Sequence, residues 1–156
     1  MRRTSATGTS GFTLIEILVV VAITGIIIAV AAVNLYPDER QAARRESGML
    51  ALSIERSRDA AWFGGRPVAL AFDEGHLHAW MLRGDSWERD AAHERNLDPS
   101  LHVTALYVDG QLLKENERLV FLPDGLGVPF RISLEVRGLP WAIEGDAAGA
   151  VSLNEG

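Results

Sequence analysis

The chain has 156 residues, 15 Lys and Arg against 21 Asp and Glu for a formal net charge of −6 at pH 7, and no cysteine. The acidic balance disfavours a phosphate-tracking nucleic-acid surface, which needs clustered Lys and Arg, and the missing thiols exclude a disulfide framework and any thiolate metal centre. One apolar run near the start leaves roughly 90 residues for a folded body, enough for one small domain and not two.

Residues 1–11 carry Arg2, Arg3 and the α-amino group and no acid, the charge pattern of an export leader. The 20 residues that follow Glu16, from 17 to 36, contain no charged side chain. As a helix rising ~1.5 Å per residue they cover ~30 Å, the hydrocarbon thickness of a bilayer. The segment is too long for the ~7–15-residue apolar core of an ordinary secretory signal, although Ala29 to Ala32 has the small-residue look of a signal-peptidase site. Arg40, Arg44 and Arg45 after the run nearly offset Arg2 and Arg3 before it, so the basic leader decides for an N-terminus inside.

Glu16 stands at the mouth of this run. An ionised side chain costs about 2.5–3.5 kcal/mol at the centre of a membrane helix and less near its edge, so it calls for a partner or a function. One local reading is a capping box, because Thr13-x-x-Glu16 has the spacing at which both side chains satisfy free amides at a helix start.

The string Gly11-Phe12-Thr13-Leu14-Ile15-Glu16, placed between a basic leader and an apolar helix, resembles the class III signal of type IV pilins and type II secretion pseudopilins. The resemblance implies cleavage between Gly11 and Phe12 by a prepilin peptidase and N-methylation of Phe12. It also implies an assembly role for Glu16, pairing with the N-terminal amine of a neighbouring subunit, in keeping with the rule that charges in lipid are tolerated mainly as pairs. Glycine suits the cleavage site because it lets a peptidase approach the backbone. The family often has a proline where this chain has Val33. Pro37 comes one turn later, so a kink or local melting is expected near residues 34–37.

Residues 38–63 read as a second helix, with Ala43, Leu50, Ile54 and Ala61 on one apolar face. Arg40, Arg44, Arg45, Glu46, Glu55, Arg56, Arg58 and Asp59 read as a solvated face with helix-spaced ion pairs. Gly64-Gly65 supplies the C-terminal stop.

Strands are expected at residues 67–72, 77–82, 101–108, 119–122, 129–136 and 139–143, separated by turn signals such as Asp109-Gly110 and Asp124-Gly125. The clearest alternation puts Phe130, Ile132, Leu134 and Val136 on one face and Arg131, Ser133 and Glu135 on the other. Residues 84–100 show no period and read as an exposed connection, with Trp87 pinning it to the body. Within the superfamily, three pieces resemble the minor pseudopilin H and its twitching-pilus relatives: Arg66 to Phe72; Phe121-Leu122-Pro123-Asp124-Gly125 with Pro129-Phe130; and Gly145-Asp146 ahead of Gly149-Ala150-Val151-Ser152-Leu153.

Chemistry has little to attach to. His76 and His78 share a strand face near Glu74, but a third ligand is missing, and His93 and His102 have no evident place in a metal set. No nucleophile elbow, zincin helix or phosphate-binding glycine loop occurs. Trp62, Trp80 and Trp141 read as core, with Trp87 the exception. Residues 101–156 hold four basic and eight acidic side chains, which argues against direct DNA capture.

The expected architecture is α+β and pilin-like: a long N-terminal helix, transmembrane in its first half and amphipathic in its second, then a small β-rich domain. Residues 1–11 are a cleaved leader, 12–36 the transmembrane and assembly helix, 37–63 the amphipathic helix and 64–156 a periplasmic domain. The resemblance implies a minor pseudopilin in the periplasmic pseudopilus of a type II secretion system, with no enzymatic activity, cofactor or metal. Its partners would be other pseudopilins, the prepilin peptidase, the inner membrane, crossed once, and the secretion-system platform. A minor type IV pilin of a twitching or DNA-uptake system is the alternative, and an anchored enzyme lacks a recognisable site.

Overall fold

A computed structural model describes residues 13–35, 38–73, 75–114 and 117–156, with side chains in the first helix described through residue 29. The chain divides into two compact units, Met1–Pro37 and Asp38–Gly156. The expected cleavage site at Gly11 and Phe12 and the kink expected around Pro37 lie outside the described residues.

In the first unit, α1 runs Leu14–Leu35. The second unit opens with α2, Glu39–Gly64, whose N-cap Asp38 accepts a hydrogen bond from the Arg40 amide at 3.1 Å. The helix stops at Gly65, which takes the left-handed conformation at φ 62° while the Arg66 amide bonds back to the Ala61 carbonyl at 3.3 Å. That six-to-one closure is what a left-handed residue after the last turn permits.

The buried stripe of α2 is Ala43, Ser47, Leu50, Ile54, Ser57 and Ala61. The four expected apolar positions are present, and two serines complete the alternation of steps of four and three that keeps residues on one helix face. Ser57 disposes of its hydroxyl by donating to the Ser53 carbonyl at 2.9 Å. Small side chains at four of the six positions let α2 lie close to the strands beneath it.

Two antiparallel sheets receive that stripe. The first has the order β3-β2-β1-β7, built from β1 (Val68–Asp73), β2 (His76–Arg83), β3 (Ser86–Arg89) and β7 (Leu119–Phe121), with β4 (Arg95–Asn96) also paired to β2. The second has the order β10-β9-β8-β5-β6, from β5 (Leu101–Val108), β6 (Gln111–Leu112), β8 (Phe130–Val136), β9 (Leu139–Gly145) and β10 (Val151–Glu155). The inward residues of both sheets meet α2: Val68, Leu70, Leu77, Leu119, Ile132, Leu134, Val136 and Ile143 are all buried with Leu50 and Ile54. Phe121 and Phe130 join the two sheets edge to face, with centroids 5.9 Å apart, one of the arrangements that the aromatic quadrupole favours.

All six expected strands are present within two residues of their expected ends, and β8 buries Phe130, Ile132, Leu134 and Val136 as its alternation requires. The expectation for residues 84–100 needs correction. Gly84-Asp85 turns the chain back so that β3 pairs with β2, Arg83 opposite Ser86 and Trp80 opposite Arg89. The pattern was hidden because all four β3 residues are exposed, and an edge strand without a buried face has no hydrophobic period. Nor does Trp87 pin this segment, since it is 39% exposed. Arg95 does so instead, donating to the Met49 carbonyl of α2 at 2.9 Å. Two further strands, β6 and β10, form where no strand is expected.

The solvated face of α2 also loses a member. Arg58 is mostly buried: it pairs with Asp59 at 2.8 Å, donates to the Gly149 carbonyl and lies 5.0 Å from the centre of the Trp62 ring. Its partner is therefore the adjacent residue and not one a helical turn away. The other arginine of this helix with an acidic partner, Arg40, reaches Glu155 of β10 at 3.6 Å.

Candidate functional site

The first unit presents the clearest candidate. The Thr13 carbonyl accepts from the amides of Glu16 and Ile17 at 3.0 and 3.3 Å, which starts α1 and places Glu16 in its first turn. A carboxylate there has the favourable sign for the helix dipole. Beyond it, Leu18, Val21, Ile23, Ile26, Ile27 and Ile28 are each more than half exposed, and together they point to every side of the helix. Thr24 hides its hydroxyl by donating to the Val20 carbonyl at 2.7 Å. A helix apolar all round has no face that water accepts. Counted over the described residues alone, no helix is long and apolar enough to cross a membrane.

The turns singled out in the second unit prove to be structural. In Gly145-Asp146 and Gly149-Ala150, each glycine leaves room for a ring: a Cβ on Gly145 would stand 2.0 Å from Phe130 Cε1, and one on Gly149 would stand 2.2 Å from Trp62 Cη2. Asp146 Oδ1 closes the turn by accepting from the Ala150 amide at 2.8 Å. Asp124 likewise accepts from the Leu126 amide at 3.0 Å, with Gly125 at φ 76°.

His76 and His78 do share a face, with rings stacked 5.7 Å apart. Arg89 Nη2 lies 2.5 Å from His78 Nδ1. Arg89 also donates to Glu94 at 2.7 Å and holds its carboxyl below the usual range. Among the described residues no group of three or more His, Asp or Glu side chains converges as a metal site. Of the tryptophans, Trp141 is core, whereas Trp80 lies on the outer face of the first sheet beneath Arg118, whose guanidinium carbon is 3.8 Å from the ring centre.

Comparison with known proteins agrees with this division of the chain. Residues 7–32 match the family model described as the prokaryotic N-terminal methylation motif. The chain also superposes on the minor pseudopilin EpsH from the Type 2 Secretion System of Vibrio cholerae, with a TM-score of 0.55 at 18% identity, covering 70% of this chain and 96% of that one. The chain thus joins a prokaryotic N-terminal methylation motif to a domain with the fold of a minor pseudopilin. A second crystal structure of the same Vibrio cholerae pseudopilin gives a TM-score of 0.56 at 17% identity, covering 72% and 97% of the two chains. No curated protein matches the sequence. The matched motif includes Gly11, Phe12 and Glu16.

Proposed function

We propose that this chain is a minor pseudopilin, a structural subunit of the periplasmic pseudopilus of a type II protein secretion system. The observation that carries the reading is the methylation motif at residues 7–32, most of which forms a helix with apolar side chains on every side, ahead of a domain with the fold of a minor pseudopilin.

In this account the prepilin peptidase cuts between Gly11 and Phe12 and the new Phe12 amine is methylated. Before assembly α1 crosses the inner membrane once and leaves the second unit in the periplasm. Glu16 then attracts the Phe12 amine of a neighbouring subunit, and two charges costly alone in lipid become tolerable as a pair. Burial of the remaining apolar surface among neighbouring helices holds the filament together. The secretion-system platform drives incorporation, and the surface of the β-rich unit selects neighbours. The protein has no enzymatic role in this account.

Sheared filaments test the reading. The chain should co-fractionate with the other pseudopilins, and its deletion should reduce export of folded substrates while leaving surface motility and DNA uptake unchanged. Loss of motility or uptake with secretion intact would move it to the type IV pilus systems.

A further inference from the structure

The second sheet carries on its outer face a groove of about 730 Å³, within the range of small-ligand sites. Strand register lays one row of side chains across it: Tyr107 on β5 stands opposite Arg131 on β8, Arg131 opposite Glu144 on β9, and Glu144 opposite Ser152 on β10. Three inter-strand spacings of ~4.8 Å make that row ~14 Å long. Beside it the lining combines the small residues Gly145, Ala150 and Ser133 with Pro129 and Phe130. Gly110 and Asp146, in turns at the same end of the strands, add to the lining.

Glu144 is fixed by both oxygens. Oε1 accepts from Arg131 at 2.6 Å and Oε2 from Asn154 at 2.9 Å, and each oxygen keeps a further lone pair for a ligand. The Arg131–Glu144 pair is internally neutral and Asp146 in the lining adds one negative charge, so the groove does not suit a phosphate. β8 and β9 are paired on both sides, so their backbone donors and acceptors are used within the sheet. An extended peptide would find no main-chain ladder here; recognition must come from side chains.

What remains is an exposed Tyr107 ring at one end, a carboxylate and guanidinium joined by one 2.6 Å hydrogen bond in the middle, and serine hydroxyls around them. Adjacent hydroxyl pairs satisfy such a carboxylate and guanidinium together, and the C–H face of a sugar ring lies on an aromatic face. We propose that this groove binds an uncharged oligosaccharide of two or three rings, a glycan-binding function separate from filament assembly. The proposal stands whichever filament the chain enters.

The test uses the full-length chain in a zwitterionic detergent without a sugar headgroup, titrated with N-acetylglucosamine trimer and with glucose trimer and followed by backbone amide NMR. Binding of at least one trimer is expected in the millimolar range, with shifts concentrated at Tyr107, Ser133, Glu144 and Ser152. Glu144→Gln and, separately, Tyr107→Ala should each weaken it by about tenfold or more, and unchanged shifts elsewhere in their spectra would establish that both variants fold. Failure of both trimers to bind, shifts located elsewhere, or binding that survives both substitutions would overturn the proposal.

Discussion

Trp62 of α2 lies against Gly149 so closely that a Cβ on that glycine would stand 2.2 Å from the indole, and Arg58, one turn earlier, donates to the carbonyl of the same glycine. The end of α2 is thereby keyed to the turn between β9 and β10. Gly149→Ala meets two obstacles, the Trp62 ring and a φ of 84°. It should cost about 2–4 kcal/mol, combining backbone strain with overpacking. Chemical denaturation of wild type and variant checks this, and a change under about 0.5 kcal/mol, the scatter of ordinary surface substitutions, would refute the keyed contact.

Arg95 should matter more than Trp87. Arg95→Gln shortens the side chain and loses its bond to the Met49 carbonyl, worth about 1.5–3 kcal/mol for a charged donor. Trp87→Ala should stay within about 1 kcal/mol, because Trp87 lies on an edge strand with no buried residue. Hydrogen exchange should show residues 84–100 opening faster in the first variant alone.

This contrast marks where the sequence was legible. The stripe Ala43, Leu50, Ile54, Ala61 and the alternation in β8 announce themselves because each element buries one face against a core, and burial imposes a period. β3 buries no face, so its pairing depends on the Gly84-Asp85 turn, which carries no hydrophobic signal. Ser47 and Ser57 are buried polar groups that a hydrophobic count passes over. Arg95 looks like any other surface arginine until the chain folds back onto α2.

The candidate site divides in the same way. Glu16 stands out because an acid beside an apolar run is physically expensive, which one sequence shows by itself. The groove from Tyr107 to Ser152 is invisible in sequence: its four row members lie 24, 13 and 8 positions apart, and strand register alone aligns them.

Acid should loosen the segment around Asp98. Its Oδ1 accepts from the Ser100 amide at 2.8 Å and from the Ser100 hydroxyl at 2.5 Å, and the hydroxyl bond foremost holds its carboxyl below the ordinary value. Glu94 is lowered as well, chiefly by Arg89. A depressed folded-state pKa means that the unfolded chain binds more protons in that window, so stability rises with pH there. The contribution is complete above the unfolded values of about 3.9 and 4.3 and is lost as pH falls through the lowered ones. Asp98→Asn with Glu94→Gln should flatten the acid limb of a stability profile and leave its slope near neutral pH unchanged.

Glu16→Ala should leave processing largely intact but reduce incorporation into filaments, measured as the cleaved subunit recovered in sheared material. Wild-type incorporation and secretion in that variant would remove the pairing role. Gly11→Leu should instead block cleavage, and the unprocessed chain would accumulate in the membrane.

The central claim is that this chain is a processed, pilin-like filament subunit. Intact mass and N-terminal sequencing of the protein, expressed with and without a prepilin peptidase, test it most directly. The account predicts a new terminus at N-methylated Phe12 that appears only with the peptidase. An intact Met1 in its presence, or a cut near Ala32, would contradict it.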